Sequence, residues 1–176
     1  MDSTDKICDI YMQNKRLFMK SFLLFCLLSF SFTSLGAKSG VSVTVKLSPA
    51  GSFQAKTSTI KGSITKSGSS YTAKKLSVKV KDLETGIELR DDHLQKRISG
   101  SRITVTDVKA SGGKGTGFLE MNKIKKPISF KYKANSSQLM AVFTIKMSSD
   151  YKLKDLKYLG VGAKDVVKIQ AIIPIK

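Results

Sequence analysis

The stretch Thr85-Gly86-Ile87-Glu88-Leu89-Arg90-Asp91-Asp92-His93-Leu94-Gln95-Lys96-Arg97 gathers the residue types of acid–base and metal chemistry: His93, the chain's single histidine, stands with three carboxylates and two arginines. A zinc site wants about four donors, commonly His or Cys. No cysteine follows Cys26, no second histidine exists, and adjacent Asp91, Asp92 and His93 rarely converge on one ion, so no metal is expected. A nucleophile activated by His93 would need a positioned partner, and the serines are scattered without a distinctive setting. No catalytic residue and no cofactor are assigned, and the chain reads as a non-enzyme. A structural role accounts for the same residues. Thr85 and Glu88 have capping-box spacing and Asp91 is a second candidate N-cap; Ile87, Leu94 and Ile98 can share a face while Asp92 and Lys96 pair at i, i+4. Thr85, Gly86, Arg90, Asp91, His93 and Leu94 are therefore expected to form a fold-holding corner.

Two further stretches invite chemistry and do not carry it. Gly112-Gly113-Lys114-Gly115-Thr116-Gly117 resembles a phosphate-cradling loop but lacks the Gly-Lys-Ser/Thr ending and the helix which that mechanism requires; it reads as a flexible hairpin link. Asn135-Ser136-Ser137 has glycosylation-acceptor spacing and reads more simply as a turn.

The elements that position these residues are mostly strands. Val41, Val43, Val45 and Leu47 alternate with Ser42, Thr44 and Lys46, the two-residue period of a half-buried strand. Phe53, Ala55 and Thr57 continue the pattern, which resumes out of phase at Ile60, Gly62 and Ile64, predicting a bulge or bend near Ser58-Thr59. Further strands are predicted around Leu76–Val80, Ile103–Val105, Phe118–Ile124, Ile128–Lys133, Leu139–Ile145 and Val166–Ile175, with Pro174 near the last strand's end. Leu153, Leu156 and Leu159 predict a short helix over Asp150–Leu159, stopped at Gly160. The fold class is all-β: an extended antiparallel barrel of about eight strands with one or two short helices, closure removing exposed edges. Such a barrel either fills its lumen with side chains or encloses one small ligand. Inward candidates are Phe53, Leu76, Val78, Val80, Phe118, Phe130, Phe143 and Ile145, and periodicity leaves both a hollow lumen and a closed core open.

Residues 20–37, KSFLLFCLLSFSFTSLGA, show the charged start, apolar run and small-residue end of a secretory signal peptide. The expected arrangement is a leader over residues 1–37, with Met19 an alternative start, and one exported domain over residues 38–176. Of 31 basic and 13 acidic residues in the chain, four and three precede Lys38, which leaves 27 and 10 and a net charge of +17 in that domain. With no cysteine left, it must be stable by burial alone. An exported basic protein faces lipid phosphates or an anionic envelope surface rather than nucleic acid; only four Phe and four Tyr remain for base stacking, mostly within strand patterns.

Gly51 to Arg97, with its Gly-x-Phe turn and Leu-x-Thr-Gly-Ile-x-Leu-Arg-Asp-x-His-Leu segment, resembles the YceI-like lipid and polyisoprenoid-binding family, as does the tail Tyr158-Leu159-Gly160-Val161-Gly162-Ala163-Lys164-Asp165-Val166-Val167. The similarity spans Val41 to Ile175. It departs from the family at the start, where Lys38-Ser39-Gly40 replaces a common Asp-x-x-His-Ser opening. The resemblance implies a lipocalin-like barrel in the periplasm, holding a polyisoprenoid in its lumen. The competing expectation is a basic envelope protein with a filled core that docks on anionic membrane or polysaccharide surfaces.

Overall fold

The computed structural model describes residues 39–153, 157–158 and 161–176; the expected leader lies outside them. The alternating Val41–Leu47 stretch is strand β1, Gly40–Ser48, followed by β2, Ser52–Thr57, β3, Thr65–Ser67, and β4, Ser70–Lys79. A single 3-10 turn, Val80–Asp82, leads to helix α1, Glu88–Arg97. Then come β5, Arg102–Ser111, β6, Lys114–Met121, β7, Ile124–Ala134, and β8, Gln138–Lys146. Helix α2, Met147–Tyr151, β9, Lys157–Tyr158, and β10, Val161–Pro174, complete the chain. The ten strands form one antiparallel sheet in the order β2-β1-β10-β8-β7-β6-β5-β4-β3, with β9 on β10. The two beyond the expected eight, β3 and β9, are too short to show alternation. No helix among the described residues is long and apolar enough to cross a membrane.

The sheet curls until its edges meet, and the expected bend is what joins them. β2 ends at Thr57, and the following residues leave β1 to run along β4. Lys56 and Glu84 exchange backbone hydrogen bonds of 2.8 and 2.9 Å, and Lys61 and Ser77 exchange another pair of 2.8 and 2.9 Å. Ile64 donates to the Pro174 carbonyl at 2.9 Å and accepts from the Lys176 amide at 2.8 Å. The seam is thus stitched by isolated bridges, and Ile60 to Ile64 is not a strand as its alternation predicted.

Glycines that read as a flexible link are ordered. Gly112 and Gly113 take positive φ of 58° and 79°, which an L side chain adopts only with strain, and they make the tight β5–β6 turn. Lys114 already pairs with Ser111 on its far side. Within β5 the inward set changes phase between Val105 and Val108, where Asp107 at φ 55° forms a bulge against β6.

The wall is not uniformly laddered. β8 pairs with β10 over nine residues, Gln138–Lys146, but with β7 only from Lys131–Ala134 to Leu139–Val142. Below that, Ile124–Phe130 and Phe143–Lys146 have no ladder between them. The predicted helix over Asp150–Leu159 forms earlier, as α2, and stops at Lys152 in the left-handed region with φ 55°; Leu156, Leu159 and Gly160 fall outside the described residues. α2 closes the lower end of this slit. Tyr151 is 1% exposed, its carbonyl accepts from Asn122 Nδ2 at 3.0 Å, and Lys126 Nζ donates to Asp150 at 3.0 Å.

Candidate functional site

Inward side chains of opposite walls do not meet everywhere, and a cavity of about 100 Å³ remains between them. Cross-strand registers build its wall in layers: Val43 lies opposite Ile169, which lies opposite Phe143, and Val41, Ala171 and Ala141 form the next layer. Leu76, Ile103, Leu119 and Phe130 close it from the β4–β7 side. Every lining side chain is apolar except Ser77, whose hydroxyl is engaged by Arg102 Nη1 at 3.2 Å. The space therefore offers no free polar group and suits hydrocarbon.

Gly115 shapes this wall. Its missing side chain leaves the place where the Phe130 ring lies; a Cβ there would overlap that ring and sit 2.8 Å from the Ala110 Cβ. On β6 the inward positions are Gly115, Gly117, Leu119 and Met121. Phe118, expected inside, faces outward instead, 41% exposed with Lys125 Nζ 4.9 Å from its ring centroid. Sequence alternation put Phe118 inside because two of the true inward residues are glycines, which display no face.

Of the other expected lumen residues, Leu76, Val78, Phe130 and Phe143 line the cavity. Val80 and Ile145 are buried but stand clear of it, Val80 because it sits in the 3-10 turn ending β4 and Ile145 because it lies toward α2. Phe53 packs at the core's edge with the Arg90 guanidinium 4.3 Å above its ring, so it too is not a wall residue. Val41, Val43, Ile169 and Ala171 of β1 and β10 also line the cavity, beyond the inward candidates of the sequence. Their alternation is legible, but only the register across strands brings them level with Phe143.

Asp91 ties together the start of the Thr85–Arg97 corner. Asp91 Oδ1 accepts from the Thr85 amide at 2.7 Å and from its hydroxyl at 2.6 Å, folding the segment before α1 back onto the helix. Gly86 at φ 80° makes the turn. α1 starts after Ile87 with no side-chain cap, so the Thr85–Glu88 capping box does not form. Leu94 and Ile98 pack onto the core, but Ile87 is 51% exposed and does not join them. His93 is exposed. Among the described residues no three His, Cys, Asp or Glu side chains cluster as metal ligands. Near α2, the Lys126 ammonium and the Lys146 amide hold the Asp150 carboxyl below its ordinary pKa, while burial first and Asp150 second push Tyr151 up to about 12.

Outside the wall lies a wider, open cleft that shares Phe130 and Phe143 with the cavity and is bordered by Lys109, Lys114, Lys131 and Lys168.

Residues 32–174 match the family model of the YceI-like domain. Among solved structures, a polyisoprenoid-binding domain from Saccharophagus degradans superposes with a TM-score of 0.55 at 14% identity, covering 78% of this chain and 92% of that one. BcnA from Burkholderia cenocepacia gives 0.57 at 16% identity, with 80% and 98% covered. The Campylobacter jejuni YCEI protein gives 0.52 at 19% identity, with 66% and 80% covered. No curated protein sequence matches the chain.

Proposed function

This chain belongs to the YceI-like family, and from its apolar cavity we propose that it is a non-catalytic lipid carrier, taking a polyisoprenoid or similar long apolar chain between its sheet walls. The observation that carries this reading is a cavity whose lining is hydrocarbon throughout, Ser77 aside. Burying each methylene contributes about 0.8 kcal/mol, so a chain of many carbons is held by burial more than by polar contacts. The fold shared with a domain described as polyisoprenoid-binding supports it. An apolar cavity of about 150 Å³ accepts one benzene. The roughly 100 Å³ here thus has room for about one isoprene unit, and a longer chain must displace side chains or run out of the cavity.

The same reading places the domain in the periplasm behind a cleaved leader, where its basic outer face helps it approach anionic membranes without binding nucleic acid. The test is an organic extract of the protein isolated from its native cell envelope. Mass spectrometry is expected to find one apolar lipid per protein; a lipid-free extract, with no uptake of added polyisoprenoid, would overturn the proposal. Salt separates the two contacts: vesicle docking weakens steeply with ionic strength, whereas burial in the wall barely responds.

A further inference from the structure

At the slit between β7 and β8, two of the cavity's wall residues also border the outer cleft. The ladder stops at Lys131 opposite Val142, and the next residues on each strand are Phe130 and Phe143. Both rings line the cavity within and the open cleft without. Pro127, farther down β7, has no amide proton to extend the ladder. Phe143 is half-buried on the inward side of β8, and Phe130 is 7% exposed.

The cleft beyond these rings is cationic. Lys109, Lys114, Lys131 and Lys168 border it and no acidic residue does. Lys114 and Lys131 stand directly opposite each other across β6 and β7, a like-charge arrangement that destabilises a sheet. The two ion pairs of the described residues, Lys125–Asp107 and Lys126–Asp150, leave them uncompensated. An anion placed in the cleft would relieve this repulsion.

Resting on the carrier reading above, we propose that this slit is the port through which the apolar chain passes. Phe130 and Phe143 form its gate, and the four lysines hold an anionic phosphate-type headgroup in the cleft. The ligand class is a long-chain prenyl phosphate or an amphiphile of that kind. Its chain, too long for the cavity alone, threads between the two rings.

The test uses the exported domain with three probes: a fluorescent prenyl monophosphate, the matching prenyl alcohol, and inorganic phosphate. Wild type is expected to prefer the phosphate lipid, and K114Q/K131Q to reduce that preference about tenfold, as loss of charge-assisted contacts would. Phe143→Ala is expected to speed loading in stopped-flow, and to speed release by more, because the lost ring also removes a wall contact with the chain. Phe143→Leu, with a melting temperature near wild type, gives the same readout if the Ala variant folds poorly. Equal loss of both lipids in K114Q/K131Q, or slowed loading in the Phe143 variants, overturns the port. Inorganic phosphate competing as strongly as the lipid makes the cleft a free-phosphate site and overturns it as well. Alcohol uptake without phosphate preference defeats the headgroup site alone; no uptake of either lipid defeats the carrier reading and the port with it.

Discussion

Ala141→Leu separates a hollow interior from a closed one by giving opposite signs to stability and binding. Ala141 faces the cavity on β8, with Ala171 beside it across the ladder, so this part of the wall is lined by two of the smallest side chains. Leucine adds three carbons. If they settle in existing space, burial contributes at most about 2.4 kcal/mol at ~0.8 kcal/mol per methylene. Freezing the new side chain costs about 0.5–1 kcal/mol, leaving a net gain of about 1.5–2 kcal/mol. For a domain of this size that raises the melting temperature by roughly 5–7 °C. The same atoms take room from a hydrocarbon guest, so polyisoprenoid uptake should fall sharply. Circular-dichroism melts and urea denaturation measure the first effect; displacement of a fluorescent lipid measures the second. A loss of about 1–3 kcal/mol, the usual result of overpacking, would mean that the wall has no space to fill. Unchanged lipid uptake in a stabilised variant would place the ligand elsewhere.

Three other outcomes follow from the geometry. Asp91→Ala removes both contacts to Thr85 and should cost about 1.5–3 kcal/mol, while exposed His93→Gln should stay within about 0.5 kcal/mol of wild type; denaturant titration compares them. Gly115→Ala drives a methyl into the Phe130 ring, so a destabilisation of about 1–3 kcal/mol and altered lipid-loading kinetics are expected. Because Tyr151 is pushed up to about 12 from an ordinary 10, the folded state holds its proton more tightly. That stability is complete below pH 10 and lost as pH rises toward 12; Tyr151→Phe should show a shallower alkaline decline in the same melts.

The strands were legible because each needs one apolar face, and the bend after Thr57 announced itself as a phase slip between Ala55 and Ile60. Pro174 ends β10 as the loss of an amide proton requires. What could not be read was anything decided across strands. Gly115 reads as loop in the sequence, and only the Phe130 ring of the neighbouring strand, lying in the volume it leaves, makes it a wall position. Alternation misplaces Phe118 for the same reason. Ile87 fits a helical face by spacing alone, yet α1 begins only after it and leaves it in solvent. The port is invisible in sequence, since it is a property of where a ladder stops.

The seam stitched by Ile64 also governs when this protein can finish folding. Its partners, Pro174 and Lys176, are made more than a hundred residues later. A chain emerging from its N-terminal end therefore presents two raw sheet margins until Pro174 to Lys176 have been made. Closing so distant a contact is slow, and unpaired margins recruit other chains. Removing Pro174, Ile175 and Lys176 should leave secondary structure largely intact while lowering the yield of monomer on refolding.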